Sequence, residues 1–206
     1  GQTYRAGVYE VAPDASQAGY FWAAAAVAAT TVTVEGVNPD AIQGDVRLAE
    51  VFGKMGCGVE ATPAGIAVTG GDLEAVEVDM GDMPDMVPTL AVVAAFARGT
   101  TVMTNVAHLR AKECDRLAAV EAELAKMGIR AHSTADALHV TGGTPRGAEI
   151  ETYDDHRIAM CFAIAGLRVE GMQIKDPGCV AKSFPNFWEV FGGLGSDPRR
   201  PLCVSV

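Results

Sequence analysis

Basic residues are scarce in this chain: 16 lysines and arginines stand against 26 aspartates and glutamates in 206 residues, a formal net charge of −10. That balance argues against non-specific binding of nucleic acid or of an anionic membrane, both of which need a basic surface. It leaves a small anionic ligand open, because local charge can oppose net charge. Long apolar runs are also missing. The longest, "FWAAAAVAA" at 21 to 29, is far short of the roughly 20 residues needed to span a bilayer and suits a buried helix. No secretory signal pattern opens the chain. The five cysteines (Cys57, Cys114, Cys161, Cys179, Cys203) are odd in number and form no C-x-x-C, so we expect free thiols in a reduced, cytoplasmic setting and no structural zinc. Gly1 stands where Met would open a gene product, which suggests an excised domain. With 49% hydrophobic and 20% charged residues, the composition is that of a globular chain with a real core.

The first positive signal is repetition. "TTVTVEGV…KMGCGVEATPAGIAVTGG" (30 to 71) parallels "TTVMTNV…KMGIRAHSTADALHVTGG" (100 to 143), with the same landmarks in the same order. A third copy follows from Asp14, Asp85 and Asp155, which are almost evenly spaced along the chain. Each follows a short β-like run ("VYEVAP", "AVEVDM", "AEIETY") and precedes an apolar, alanine-rich stretch. An Asp between strand and helix is a good N-cap, since its carboxylate accepts bonds from the first free N–H groups. Each unit reads strand, helix, strand, helix, strand, strand. Second strands are expected at 30–37, 100–106 and 171–175, second helices at about 43–55, 112–127 and 184–193, and hairpins at about 58–69 and 129–141. The units are 1–71, 72–143 and 144–206; after "FGGLG" the third is incomplete, one hairpin strand being absent or supplied from elsewhere. The first helices are apolar all round and should be buried, whereas the second are amphipathic, with Leu117, Val120, Leu124 and Met127 at 3/4 spacing. The fold class is therefore α/β, a single domain of three repeated βαβαββ units around buried inner helices.

Against this pattern stand four cations at helix starts. Lys112 and Arg116, four apart, are expected to share a face in one first turn; Lys182 holds the place in unit three that Lys112 holds in unit two; Arg157 falls in the first turn after Asp155. A cation there opposes the helix dipole. Unit one carries Gln43 and Asp45 in the matching region and no cation. Either these are solvated ends paired with Glu113, Asp115 and Asp155, or they form an anion site in which helix N–H groups and cations point at phosphate or carboxylate. Glu113 and Asp85 are candidates for acid/base work, although Asp85 also serves as a plain N-cap. His108 and His156 read as core or surface histidines, the latter beside Arg157. Cys114 has no histidine at fixed spacing to activate it as a nucleophile. Asp14 reads as structural, Phe21, Trp22 and Trp188 as core, and the glycine stretches 68–71 and 140–143 match no phosphate loop.

The stretches "HLRAKECDRLAAVEAELAKMG", "TYDDHRIAMCFA" and "DPGCVAKSFPNFWEVF" resemble signature segments of the 3-phosphoshikimate 1-carboxyvinyltransferase (5-enolpyruvylshikimate-3-phosphate synthase) family; "DASQAGYFWAAAAV" and "MPDMVPTLAV" resemble two more. The resemblance is to the C-terminal of two similar domains, between which the family's active site lies; the family's first segment also joins this domain. It implies an enolpyruvyl transferase-like fold and transfer of enolpyruvyl from phosphoenolpyruvate to the 5-hydroxyl of shikimate 3-phosphate, by addition and elimination, with no metal or organic cofactor. Partners would be those two substrates and the N-terminal domain. By the same resemblance Asp85 is the base near the hydroxyl, Glu113 moves a proton at the phosphoenolpyruvate carbon, and Lys112 and the position of His108 contact shikimate 3-phosphate. Arg116, Arg157 and Lys182 bind phosphoenolpyruvate, with His156 close by. Two departures are Cys114, where the family has Ser or Thr, and His108, where many members have Asn. An isolated domain would lack the N-terminal half's share of the site and should not turn over. A sister family uses UDP-N-acetylglucosamine as acceptor, and a non-catalytic domain of the same fold is a third reading.

Overall fold

The computed structural model describes residues 2–9, 11–195 and 202–205. Three helices form its centre: α1 (Ala15–Ala28), α3 (Val87–Ala94) and α5 (His156–Ala165) pack against one another and are buried on nearly every side. Small residues permit this closeness, since alanine and glycine side chains let helix backbones approach. A Cβ on Gly19 would stand 2.7 Å from the Met86 sulfur. The larger groups fill the gaps between layers: Trp22 is fully buried and donates its Nε1–H to the Ile66 carbonyl at 3.1 Å.

Around this centre lie α2 (Leu48–Lys54), α4 (Arg116–Lys126), α6 (Phe187–Gly192) and three sheets. The first joins β1 (Thr31–Glu35), β2 (Gly58–Thr62), β3 (Gly65–Thr69) and β10 (Leu202–Ser205) in the order β10-β1-β3-β2. The second joins β4 (Glu77–Asp79), β5 (Thr100–Thr104), β6 (Arg130–Ser133) and β7 (Leu138–Thr141) in the order β4-β5-β7-β6. The third pairs only β8 (Glu149–Ile150) and β9 (Gln173–Ile174), in parallel. The recurrent "VTGG" now has a physical reason. Gly70 and Gly142 end β-hairpins against the tails of inner helices, where a Cβ would come within 2.4 Å of the Ala25 carbonyl oxygen and 1.8 Å of the Ala97 carbonyl oxygen respectively. No side chain fits there.

Four expectations need correction. "VYEVAP" (8–13) forms no strand among the described residues, and the place parallel to β1 is taken by β10, to which the sequence assigned no role. Lys112 and Arg116 do not share a first turn. Asp115 accepts a bond from the Ala118 N–H at 3.0 Å and so starts α4 at Arg116, leaving Lys112 in the extended link after the 3-10 turn Ala107–Ala111. Asp85 is not a cap: it sits inside the 3-10 turn Pro84–Met86 with no side-chain capping bond, whereas Asp14 and Asp155 do cap. Lys182 ends the 3-10 turn Pro177–Lys182, a loop's length before α6.

Candidate functional site

The site begins at three element ends. The first turn of α5 is set by unusual backbone: Tyr153 and Asp154 both adopt left-handed φ of 54°, a conformation rare for any residue with a Cβ. Tyr153 is held there because its hydroxyl donates to Glu123 Oε1 at 2.7 Å. Glu123 is wholly buried, and Lys126 Nζ (2.7 Å) and the Glu151 N–H (3.1 Å) also donate to it, so the turn is anchored to α4. The consequence is the position of Asp155, 0% exposed, which caps α5 through the Arg157 N–H at 2.9 Å and turns its carboxylate to α4.

There Asp155 accepts two bonds from Arg116, from Nε at 2.7 Å and from NH2 at 3.2 Å. Arg116 is only 2% exposed yet uses all three nitrogens of its fork, since NH2 also reaches Glu113 at 2.8 Å and NH1 reaches Asp85 at 2.9 Å. A buried guanidinium is tolerable only with such extensive pairing to carboxylates. Burial alone would lower the Arg116 pKa, but Asp155, Glu113 and Asp85 raise it.

Asp85 is the point of convergence. Its Oδ1 also meets Lys112 Nζ at 3.2 Å, and its Oδ2 meets Arg157 NH2 at 3.0 Å. Burial pushes its pKa up, but Arg157, Lys112 and Arg116 outweigh burial and hold it below the ordinary value. Arg157 further approaches the buried Tyr20 hydroxyl, NH1 to Oη 3.4 Å. Its place against the α5 dipole is thus compensated by a carboxylate from α3's approach and a hydroxyl from α1. Beside this group, Lys182 Nζ lies 2.8 Å from Glu113 Oε1, and that bond holds the Glu113 pKa down to about 2. Four cations therefore meet three carboxylates within one connected network, a local excess of one positive charge in a chain of net charge −10.

His156 is buried; burial and Arg157 lower its pKa, and its Nδ1 has no hydrogen-bond partner among the described residues. His108 is exposed on the turn Ala107–Ala111, and no hydrogen bond among the described residues joins it to the network. Cys114 donates from Sγ to Asp155 at 3.6 Å, and burial with Asp155 pushes its thiol up to about 12, a poor nucleophile. Sequence reading named Asp155 as a cap and, with Glu113 and Asp115, as a possible partner of the cations, without assigning it to Arg116, which lies on a different helix. It missed Tyr20 and Gln17; the latter donates from Nε2 to the Ser183 carbonyl at 2.9 Å, next to Lys182. Among the described residues no group of three or more His, Cys, Asp or Glu is placed to hold a metal ion, and no helix is long and apolar enough to cross a membrane.

The domain is α/β and gathers four cations around two partly accessible carboxylates, Asp85 and Glu113. Comparison with known proteins adds the family. Residues 1–191 match the family model of EPSP synthase (3-phosphoshikimate 1-carboxyvinyltransferase). The chain is 48% identical over 198 residues to the 3-phosphoshikimate 1-carboxyvinyltransferase of Syntrophobacter fumaroxidans, covering 95% of this chain and 47% of that protein. It is 45% identical to the protein of that name from Nostoc punctiforme, covering 93% of this chain and 45% of the relative. A solved EPSP synthase from Acinetobacter baumannii superposes with a TM-score of 0.73 at 34% identity, covering 84% of this chain and 44% of that one. The chain belongs to the EPSP synthase family. It spans about half the length of the curated relatives it matches.

Proposed function

We propose that this chain is the C-terminal domain of an enolpyruvyl transferase that moves the enolpyruvyl group of phosphoenolpyruvate onto the 5-hydroxyl of shikimate 3-phosphate and releases phosphate. The observation that carries the proposal is the convergence of Lys112, Arg116 and Arg157 on Asp85, with the Lys182–Glu113 pair alongside. Two anionic substrates need clustered cations, and a vinyl group that gains and then loses a proton needs an acid/base pair. We further read the domain as three units on a βαβαββ plan, 1–71, 72–143 and 144–206, the first having β10 in the place of its opening strand. The third is incomplete, with one hairpin strand absent or supplied from elsewhere, which is supported by β9 having, unlike β1 and β5, no antiparallel neighbour among the described residues. The other half of the enzyme would supply it, together with the remaining substrate contacts.

In this reading Asp85 accepts the proton of the 5-hydroxyl as its oxygen bonds to C2 of phosphoenolpyruvate. Its low pKa keeps it a carboxylate, and the cations it now holds become available to substrate. Glu113 delivers a proton to C3, making a methyl group, and removes one again as phosphate leaves C2 and the double bond re-forms. The bond to Lys182 keeps Glu113 ionised in the free domain. When Lys182 turns to the phosphate or carboxylate of substrate, that stabilisation is withdrawn and the proton affinity of Glu113 rises toward what an acid needs. Arg116, Arg157 and Lys182 hold phosphoenolpyruvate, Lys112 holds shikimate 3-phosphate, and His108 is assigned a contact to the same substrate. His156, with its unpartnered Nδ1, lies beside them.

The experiment is phosphate release with both substrates, by the chain alone and by the chain joined behind the N-terminal half of the Syntrophobacter fumaroxidans relative. We expect turnover only from the joined protein. Enzyme-like turnover by the chain alone, or by the joined protein with UDP-N-acetylglucosamine in place of shikimate 3-phosphate, would overturn the reading.

A further inference from the structure

The hairpin β6–β7 gathers basic side chains away from the charge network. Its register sets Arg130 opposite Thr141 and His132 opposite His139. Residues two apart on a strand share one face of the sheet, so these four side chains lie together. The alternate positions Ala131, Leu138 and Val140 pack on the core. Arg130 and His132 are exposed, and His139 and Thr141 are half-buried. All four line one cavity of about 600 Å³, whose apolar wall includes Ala125, Gly128 and Ile129, from the end of α4 and the turn after it. Arg116 opens α4 and Lys126 closes it, so the cavity stands about 15 Å along the helix from the buried Arg116 pair.

The donors on this face are unused. Arg47, Arg98, Arg110, Arg116 and Arg157 each reach a carboxylate. Arg130 has no hydrogen bond or ion pair among the described residues, although the chain carries a net charge of −10. His132 and His139 meet each other, ring centroids 6.4 Å apart and planes 28° from parallel, and neither has a hydrogen bond to another described residue. The Thr141 hydroxyl is bonded to that of Thr100 at 2.9 Å, so one of the two hydroxyl protons stays free. No acid is among the described residues that line the cavity. Glu77, in the same row of the sheet, is separated from His139 by Val102 and stands roughly 10 Å away. The negative end of the α4 dipole borders the cavity and would repel an anion, but its carbonyls are covered. Arg146 donates from Nε to the Lys126 carbonyl at 3.4 Å and from its backbone N–H to the Met127 carbonyl at 3.0 Å.

A guanidinium presents a planar fork of donors, and the two imidazoles and the hydroxyl add single donors beside it. A phosphoryl group has three terminal oxygens to accept them, whereas a carboxylate has two. A cavity of this size also holds more than a phosphate ion, and its α4 side offers apolar surface. We propose that the cavity between the β6–β7 hairpin and the end of α4 binds a phosphomonoester with an apolar or ring-shaped remainder. The phosphate lies on Arg130, His132 and His139, and the remainder lies on the wall formed by Ala125, Gly128 and Ile129. Such a ligand supplies the negative charge that this face lacks. Its site shares no residue with the network around Asp85, so it does not compete with a ligand bound there. This inference does not depend on the enzymatic reading.

The chain has four histidines, so proton NMR of the imidazoles reads the site directly, each signal assigned through its His→Gln variant. Titration with phenyl phosphate should shift the His132 and His139 signals together and to saturation. The His156 signal reports separately on any binding in the charge network. Inorganic phosphate should move the same two signals with at least three-fold weaker affinity, since it has no remainder to place on the wall. Arg130→Ala should weaken phenyl phosphate binding at the two histidines at least ten-fold. Arg130→Gln should reproduce that loss, which separates the missing charge from a disturbed strand. Arg98→Ala, which removes a cation outside the cavity, should leave the affinity unchanged. Shifts of His132 and His139 no larger than those caused by sodium chloride at equal ionic strength would overturn the proposal. So would affinities of Arg130→Ala and Arg130→Gln within two-fold of the unaltered chain. Benzoate binding as tightly as phenyl phosphate would assign the cavity to carboxylates and would equally overturn it.

Discussion

Arg116 and Asp155 form a two-point pair, Nε to Oδ2 at 2.7 Å and NH2 to Oδ1 at 3.2 Å, with their side chains 2% and 0% exposed. This pair joins the start of α4 to the start of α5, and every other charge in the network is placed relative to it. Arg116→Ala leaves Asp155 buried without its counter-charge, and breaking such a pair costs about 3–5 kcal/mol. We expect a loss of that size in denaturant unfolding. Arg116→Lys should recover only part of it, because an ammonium cannot reproduce the planar fork.

Lys182 provides the contrast. Its side chain is 58% exposed and its partner Glu113 29%, and exposed pairs of this kind contribute about 0–1 kcal/mol. Lys182→Ala should therefore leave the denaturation midpoint almost unchanged. In the joined protein it should nevertheless raise the KM for phosphoenolpyruvate by at least about ten-fold, a loss of about 1.4 kcal/mol of binding. Steady-state kinetics beside denaturant titration separates the two effects.

The network also sets an acid limit. Glu113 is held at about 2 against an ordinary 4.5, and Asp85 is held below its ordinary 3.8. Groups whose folded pKa lies below the unfolded one stabilise the fold fully above the unfolded value and lose that contribution as pH falls toward the folded value. Stability should be level from about pH 7 to 5 as far as these carboxylates are concerned, and fall between about pH 4.5 and 2. Burial of neutral His156 adds to the loss once pH drops below the ordinary 6.5, since the unfolded chain binds that proton more readily. Unfolding free energy measured by circular dichroism across this range checks the sign. Glu113→Gln should flatten the lower part of the curve.

Cys114 stands inside the site without the properties of a reactive thiol. With its pKa pushed up to about 12 by burial and by Asp155, it should resist alkylation at pH 7.5. Cys114→Ser should change turnover of the joined protein by less than about two-fold, because a hydroxyl can make the same donation to Asp155. Mass spectrometry after iodoacetamide treatment, and a rate assay, check the two halves.

The inner helices were legible because their signal is local: an aspartate cap followed by an apolar run needs no partner to be recognised. Arg116 and Arg157 were legible for a similar reason, as charges that contradict the dipole of the helix they start, whereas Lys112 and Lys182 stand off the helix starts expected for them. What could not be read was reach. The sequence offered Asp155 as one of several partners for the cations but did not single out Arg116, and nothing near Asp85 announces that three cations from distant segments replace its expected capping role. Strand pairing failed in the same way. "VYEVAP" has the composition of a strand, but pairing is decided by which segment holds the β1 edge, and in the structure that segment is the remote stretch Leu202–Ser205.

In the proposed function Arg157 stands against the α5 dipole in order to bind an anionic substrate, and is held ready by Asp85 and Tyr20 until it does. The most direct measurement is the affinity of the joined protein for phosphoenolpyruvate in the presence of shikimate 3-phosphate, with Arg157 intact and with Arg157→Ala, each checked for an unchanged fold. We expect at least about 100-fold weaker binding without the guanidinium, about 2.7 kcal/mol. Affinities that agree within about two-fold, less than about 0.5 kcal/mol, would contradict it.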